Sequence, residues 1–169
     1  MNKITGLLAT GLAVFTIGTT LTACGNTSNQ GGQKVSKSSS SKKKEIKYYK
    51  IGDSVKVDKV TYTLVSVEKT DERNEFVDEK PNNVIKVVYH VKNESNQELP
   101  LGTDLEVYGP KNTKLKEYPI NNSTLDSLAA GKEADVTTGF GTDDLGNFEL
   151  QFAPFASLSN SAKFKVNVQ

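Results

Sequence analysis

VIKVVYHVK, residues 84–92, is the stretch of sequence that decides the fold, because apolar side chains occupy every second position. One side of the extended chain carries Ile85, Val87, Tyr89 and Val91. Such alternation is typical of a β-strand that turns one face toward a core. Beyond about residue 45 no stretch shows the helical spacing of apolar residues, so the sequence predicts an all-β domain.

Shorter stretches with the same alternation lie on both sides of this one. They predict strands over residues 54–58, 60–67, 105–108, 114–119, 133–141, 148–153 and 162–168. The clearest turn between two of them is Gly109-Pro110-Lys111-Asn112, where proline presets the second turn position and asparagine tolerates a tight backbone. Seven to eight short strands with turns at this spacing predict an antiparallel β-sandwich.

One helical turn is predicted over residues 125–130, with Ser123 or Thr124 as its cap and Gly131 at its end. No longer helix is expected. Packing of the strands' apolar faces has to supply the stability, because a chain with one cysteine cannot pin its two sheets with a disulfide. The predicted core consists of Val57, Leu64, Val67, Val87, Tyr89, Val91, Leu105, Val107, Phe140, Leu150, Phe152, Phe164 and Val166.

The first 24 residues follow a different pattern. A positive start at Lys3 precedes an apolar or small, uncharged stretch over residues 4–20, as in a secretory signal peptide. Leu21-Thr22-Ala23-Cys24 resembles the lipobox of bacterial lipoproteins, in which the peptide is cut before the cysteine. The resemblance implies a diacylglycerol group on the sulfur of Cys24, which would hold the protein to the outer face of the cell membrane.

This interpretation makes residues 1–23 a lipoprotein signal peptide. Two other interpretations stay open. One is a transmembrane anchor, although about 17 apolar or small residues are marginal for spanning ~30 Å of hydrocarbon. The other is an ordinary secreted protein with a free cysteine at position 24.

Residues 24–46 are predicted to be the lipidated cysteine and a flexible linker. The segment GNTSNQGGQKVSKSSSSKKK, residues 25–44, has one apolar residue and cannot bury enough surface to offset the entropy of ordering. Residues 1–44 hold six lysines and no acidic residue, which leaves 15 basic and 20 acidic side chains beyond them. Lysines that keep a linker soluble and extended are the simpler explanation of this charge distribution. The alternative is that a basic linker beside an acidic domain, residues 47–169, suits anionic lipid or wall polymer.

Composition excludes several classes of function. A formal net charge of +1 argues against a strongly basic nucleic-acid-binding protein, so no nucleic-acid partner is expected. One cysteine rules out a multi-cysteine zinc site, and one histidine makes a histidine cluster hard to build. Gly139-Phe140-Gly141 does not lead from a strand into a helix and is no phosphate loop. No cofactor is expected.

Three short motifs carry a resemblance to a known family: GDSV at residues 52–55, VKN at residues 91–93 and LAAGKE at residues 128–133. They resemble the immunoglobulin-like domain of uncharacterised Gram-positive lipoproteins. That domain is similar to the secreted mycobacterial antigen called immunoprotective extracellular protein. The resemblance covers residues 51–168, and it implies an immunoglobulin-like β-sandwich and an extracellular location but no particular activity.

His90 is the only imidazole, so any Ser-His-Asp arrangement must use it. Alternation places it opposite the face of Tyr89, beside Lys86 and Lys92, which predicts a side chain that faces solvent or an edge. An envelope hydrolase is therefore an alternative with little support from the residues, and we expect that the protein is not an enzyme.

Two acidic loops are a stronger signal for chemistry. Carboxylate and carbonyl oxygens on sandwich loops can bind calcium, although neither loop has the ligand spacing of an EF-hand and most acidic loops are only hydrated. The possible metal ligands are Asp71, Glu72, Glu75, Asp78 and Glu79 in the first loop and Asp143 and Asp144 in the second.

The long connection over residues 70–83 also carries Phe76 among its charges. Either the ring tucks back onto the core, or it is an exposed anchor for a partner. Tyr48 and Tyr49, at the join of linker and domain, are predicted to pack against the first sheet.

Together these features predict a surface lipoprotein whose sandwich acts as a binding or accessory module through loops or an unpaired sheet edge. Its partner is expected to be an envelope protein, a wall polymer or a host molecule. A calcium-dependent adhesion module that uses the acidic loops is the main alternative.

Overall fold

A computed structural model describes residues 46–169, which form ten β-strands and no helix. The predictions for the signal peptide, Cys24 and the linker as far as residue 45 lie outside these residues. Within residues 46–169 no helix offers the length and apolar composition that crossing a bilayer requires. The strands are β1 Ser54–Val57, β2 Val60–Thr70, β3 Asn83–Asn93, β4 Leu99–Pro100, β5 Leu105–Tyr108, β6 Lys116–Glu117, β7 Ser127–Leu128, β8 Glu133–Thr142, β9 Gly146–Phe152 and β10 Ala162–Val168.

The strands form two main sheets. One has five strands in the order β1-β2-β3-β8-β6, and the other has three in the order β10-β9-β5. β4 and β7 form a separate pair, and all neighbouring strands are antiparallel. All eight predicted strands are present and β4 and β7 are additional, which confirms the antiparallel β-sandwich.

A single core cluster joins the two main sheets. The Phe152 ring of β9 contacts rings from both, with centroid distances of 5.3 Å to Tyr62 and 4.9 Å to Tyr89 in one sheet and 5.4 Å to Phe164 in the other. Stacked and edge-on aromatic pairs at these separations add to the gain from burial. All thirteen predicted core residues are buried.

The helical turn predicted over residues 125–130 is wrong. Ser127–Leu128 instead forms β7, which pairs with Leu99–Pro100 of β4. This pairing buries Leu128 in the core. A single isolated turn has little stability of its own, so burial outweighs the local capping signal. Gly131 still ends the segment, in a left-handed conformation with φ of 72°.

The predicted turn at residues 109–112 is present between β5 and β6. The Asn112 N–H donates to the Gly109 carbonyl (2.8 Å), and Asn112 has a φ of 58° that asparagine tolerates. The predicted strand over residues 114–119 shortens to two residues. Pro119 cannot donate a backbone hydrogen bond, which limits how far that strand can pair.

The first described residues pack on the three-stranded sheet. The Tyr49 N–H donates to the Lys163 carbonyl (2.8 Å), and the chain there runs parallel to β10. The Tyr49 ring lies 5.6 Å from that of Phe164, and the Tyr48 hydroxyl donates to Glu149 Oε2 (2.7 Å). Both tyrosines therefore contact the sandwich, through its smaller sheet.

The two ends of the sandwich carry different loops. Ile46 lies beside the start of β10, at the same end as the loop over residues 153–161 and the turn at Asp58. We call this the linker end. β2 begins there and leads to the loop over residues 71–82, which lies at the opposite, distal end.

Candidate functional site

A single arginine joins the two ends of the loop over residues 71–82. Arg73 Nη1 donates to the carbonyls of Thr70 (3.0 Å) and Glu72 (2.8 Å), and Nη2 donates to the carbonyl of Asn82 (3.3 Å). The rigid fork of a guanidinium can bond several carbonyls at once in a fixed geometry. The loop is therefore closed at its base.

The same loop is fastened to the segment that follows β6. The Asn74 N–H donates to the Tyr118 hydroxyl (2.8 Å), and the Asn121 N–H donates to Glu72 Oε2 (2.8 Å). A cleft of about 250 Å³ lies between the loop and this segment. Together with the bonds of Arg73, these hydrogen bonds hold the two ends and the first residues of the loop in place.

Phe76 and Val77 point in opposite directions from this loop. Val77 packs on a cluster that is separate from the main core and consists of Val84, Tyr118 and Ile120. Phe76 is 96% exposed, although a bond from its N–H to Asn74 Oδ1 (2.9 Å) fixes its backbone. The alternative in which the Phe76 ring tucks back onto the core is therefore wrong, because Val77 fills that space instead. Contact between the exposed Phe76 ring and a partner stays a prediction.

Two glycines of β8 allow the loop over residues 71–82 and the segment after β6 to lie against the five-stranded sheet. A Cβ at Gly139 would be 2.5 Å from the Tyr118 carbonyl oxygen, and a Cβ at Gly141 would be 3.0 Å from Pro81 Cγ. Phe140, between them, points inward and is buried. The Gly-Phe-Gly sequence therefore serves close packing on the outer face of the sheet.

A larger cleft of about 480 Å³ lies at the distal end, between the β5–β6 turn and the loop after β8. Ion pairs line it: Lys111 Nζ lies 2.7 Å from Asp144 Oδ2, and Lys116 pairs with Glu79. The hydrogen bond to Asp144 raises the pKa of Lys111. The cleft therefore carries both signs of charge and no dominant one.

The structure places five of the seven predicted metal ligands in these two clefts. Glu72 and Glu75 line the smaller one, and Glu79, Asp143 and Asp144 line the larger one. Among residues 46–169 no three His, Cys, Asp or Glu side chains are grouped as a metal ion would require. Asp71 and Asp78 are both exposed on the loop, and neither lines a cleft. Calcium binding stays a prediction.

His90 lies on the outer face of the five-stranded sheet, as predicted. Its Nδ1 is 2.8 Å from Asp135 Oδ1 on β8, and Thr63 of β2 is its register partner on the other side. Thr63 Oγ1 lies 2.7 Å from Ser54 Oγ. An imidazole beside a carboxylate is a pair that general-base chemistry uses. Here the pair sits on a strand face and lines neither distal cleft.

One buried carboxyl group, that of Asp104, is not predicted from the sequence. Asp104 is 3% exposed, and its Oδ1 accepts a hydrogen bond from the Tyr89 hydroxyl (2.5 Å). Burial raises the pKa of Asp104, and burial together with the charge of Asp104 raises the pKa of Tyr62 and Tyr89. Asp104 Oδ2 and the Tyr62 hydroxyl have no hydrogen-bond partner within the described residues. The cluster belongs to the core and faces neither distal cleft.

Comparison with solved structures identifies several proteins with the same fold. A candidate lipoprotein of Bacillus subtilis, ycdA, superposes with a TM-score of 0.57 at 19% identity over 68% of this chain. The aligned part spans 38% of the length of ycdA. An uncharacterized β-sandwich protein of Clostridium difficile has a TM-score of 0.50 at 18% identity over 76% of this chain and all of that one.

A third similar structure is that of MPT63, a secreted protein of Mycobacterium tuberculosis. It has a TM-score of 0.54 at 4% identity, over 72% of this chain and all of MPT63. No protein-family model matches the chain, and no curated protein matches its sequence. At these identities the similarity shows the β-sandwich fold.

Proposed function

We propose that this protein is anchored by lipid to the outer face of the cell membrane and binds a protein partner through its distal end. The binding surface consists of Phe76, the loop over residues 71–82 that carries it, and the charged cleft beside it. The observation that carries the proposal is a fully exposed aromatic ring on a loop that Arg73 and Tyr118 hold in place.

Two observations support the anchor. The lipobox-like sequence ends at Cys24, the only cysteine, and the motifs at residues 52–55, 91–93 and 128–133 resemble the domain of Gram-positive lipoproteins. Among proteins of the same fold, ycdA is a candidate lipoprotein and MPT63 is secreted. Both support a position outside the cytoplasm.

The geometry around Phe76 supports binding to a protein. Aromatic anchors with polar surroundings are typical of the residues that contribute most to protein interfaces. A loop that is already ordered loses less conformational entropy when a partner binds, so more of the contact energy appears as affinity. The ion pairs of the neighbouring cleft, Lys111 with Asp144 and Lys116 with Glu79, offer a polar rim of mixed charge.

The proposal assigns no reaction to the protein. His90 is paired with Asp135 on the face of the five-stranded sheet, away from the residues that line the distal clefts. We therefore expect binding to persist in a His90→Gln variant.

Photo-crosslinking on intact cells tests the binding surface. A benzophenone amino acid replaces Phe76 in one variant and Leu125 in a control, because Leu125 is 83% exposed and lies outside the loop. We expect a discrete protein adduct from position 76 and none from position 125. Equal labelling from both positions, or no adduct from either, would contradict the proposal.

The same experiment decides between a calcium-independent surface and the calcium-dependent alternative. The larger cleft contains Glu79, Asp143 and Asp144, and two of these acids already pair with lysines. We expect the adduct at position 76 to form equally with and without a chelator. Loss of the adduct on chelation would contradict the calcium-independent surface and would support a calcium-dependent adhesion module.

A further inference from the structure

The linker end carries the most exposed large apolar side chain of the described residues, and a second exposed one lies three residues before it. Leu158 is fully exposed at 103%, and Phe155 is 72% exposed. Both belong to the loop over residues 153–161, which connects β9 to β10. Large apolar residues that are exposed together mark surfaces that contact another protein or a membrane.

This loop has a defined conformation. Ser157 Oγ donates to Asp58 Oδ2 (2.6 Å), and Ser159 Oγ donates to the other oxygen of the same carboxylate. These two bonds lower the pKa of Asp58, which keeps the carboxylate ionised as their acceptor. Ala156, between the two exposed apolar residues, has a φ of 60°, a conformation that non-glycine residues adopt only at a cost. The loop is thus held in a shape that directs its apolar side chains outward.

The chain leaves the sandwich beside this loop. Tyr49 pairs with Phe164 in parallel, so residues before Tyr49 run toward the start of β10. Ile46, which is 47% exposed, lines a groove with Asn160 and Ser161. The residues that connect the domain to Cys24 therefore start at the same end as Phe155 and Leu158.

We propose that the loop tip, Phe155 and Leu158, docks on the phospholipid bilayer to which the chain is anchored. This inference rests on the proposed lipid anchor at Cys24. It gives the anchored domain a preferred orientation, in which the linker end faces the membrane and Phe76 faces away from it. β2 has 11 residues between the two ends, so Phe76 would lie roughly 35 Å further from the lipid than Leu158.

The length of chain between Cys24 and Ile46 argues for lipid as the occupant. A polar, glycine- and serine-rich linker with as many residues as 25–45 would have a root-mean-square span of roughly 25 Å. A tip tethered at that range meets the bilayer at a high effective concentration. Two apolar side chains that would bind a membrane weakly in a free protein are then sufficient.

Charge argues in the same direction. Residues 25–44 carry five lysines and no acidic residue, and Lys47 and Lys59 are exposed at the linker end. Basic residues next to a membrane are attracted to anionic lipid, and the attraction adds to the insertion of neighbouring apolar side chains. The loop also contacts one acidic side chain, Asp58, whose two carboxylate oxygens accept hydrogen bonds from Ser157 and Ser159. The lysines outnumber it, so the basic side chains beside the apolar tip fit the surface of an anionic bilayer.

Lipid-quenching fluorescence on the full-length lipidated chain tests this proposal. The chain is reconstituted into phosphatidylglycerol-containing vesicles that carry nitroxide-labelled lipid, with a fluorophore on a cysteine introduced by Leu158→Cys. A matched control carries the fluorophore at Phe76→Cys, which is equally exposed at the distal end. We expect strong quenching at position 158 and little at position 76. Similar quenching at the two positions would overturn the docking.

A second variant separates docking from mere closeness to the tether. The Leu158→Cys chain keeps Phe155 as its one remaining apolar side chain at the tip. Adding Phe155→Ser removes that side chain at an exposed position, so the fold should be unaffected. We expect the docked population relative to the free one to fall roughly tenfold. Unchanged quenching would show that the tether alone brings position 158 near lipid, and it would overturn the proposal.

The labelling step also distinguishes a failure of the proposed anchor from a failure of docking. A lipidated Cys24 cannot react, so the fluorophore should enter only the introduced cysteine. Labelling at Cys24 itself would show that the anchor is absent, and the docking proposal would fall with it. A third outcome is that position 158 reacts slowly with a thiol reagent on whole cells but is not quenched by labelled lipid in vesicles. That result would assign the tip to a protein partner and would overturn docking on lipid.

Discussion

Single residues determine where a second layer can lie on the five-stranded sheet. Gly139 and Gly141 place no side chain on the outer face of β8. The segment after β6 packs in the space at Gly139, and Pro81 packs in the space at Gly141. Side chains at either position would push these groups away from the sheet. The loop with Phe76 is bonded to that segment through Tyr118. A substitution in β8 that displaces the segment should therefore also displace this loop at the distal end.

Replacing Gly139 by alanine should therefore destabilise the domain more than the same change at Gly141. The added Cβ at Gly139 meets a backbone carbonyl at 2.5 Å, and at Gly141 it meets a proline ring at 3.0 Å that belongs to a loop. We expect Gly139→Ala to lower the free energy of unfolding by about 1–3 kcal/mol. Urea denaturation measures both variants, and equal midpoints would contradict the packing described for Gly139.

Asp104 should make the stability depend on pH. Burial raises the folded-state pKa of Asp104 above its unfolded value of 3.8, so the fold favours the protonated carboxyl group. Its favourable contribution is complete below pH 3.8 and is lost as the pH rises through the folded-state pKa.

The Asp104→Asn variant isolates this effect. Asparagine keeps an oxygen that accepts the Tyr89 hydroxyl but has no carboxyl group to ionise. We expect the free energy of unfolding of the wild type, minus that of the variant, to fall as the pH rises from below 3.8 to about 7. Denaturation at several pH values measures the difference, and a constant difference would show that Asp104 does not titrate in this range.

The sequence predicts the burial of single residues unevenly. The thirteen core positions follow from alternation, since a strand with one buried face has to place apolar residues at every second position. Asp104 lies just before β5 among other polar loop residues, and nothing local indicates that two tyrosines cover it. The exposure of Phe76 also depends on Val77 filling the space beneath the loop, which is a tertiary contact.

At the scale of elements, the loop over residues 71–82 owes its shape to side chains more than to regular pairing. Arg73 closes its base through three carbonyls, and bonds to Tyr118 and Asn121 hold its sides. Its order therefore depends on a few named contacts, each of which can be removed without touching the core.

Replacing Arg73 by alanine should loosen this loop and leave the sandwich intact. We expect faster amide hydrogen exchange over residues 74–80, unchanged exchange in β3 and β8, and a weaker crosslink from position 76. Arg73→Lys is the matched control, because it keeps the charge but cannot bond three carbonyls in one plane. If the alanine variant exchanged like the wild type, the arginine would not be what holds the loop.

Strands were easier to predict than short connecting elements. All eight predicted strands are present, because alternation persists over several residues in each of them. The capping residues predict a helical turn at 125–130, but β4 supplies a strand partner that is distant in sequence. A local signal cannot report such a partner, and the two-residue strands β4 and β7 have no periodicity of their own.

The whole molecule combines an end from which the chain leads to Cys24 and an opposite end that presents Phe76. The sandwich between them is a spacer as well as a scaffold, since β2 and β3 run from one end to the other. On this account the lipid group at Cys24 determines where the protein is, the tip with Phe155 and Leu158 determines its orientation, and the distal end determines what it binds.

The mass of the intact protein extracted from the membrane fraction tests the central claim most directly. The account predicts a chain that begins at Cys24 and carries a diacylglycerol group on that residue, and it predicts that a Cys24→Ala variant remains uncut or leaves the membrane. A membrane-bound chain that retains residues 1–23, or one with an unmodified Cys24, would contradict it.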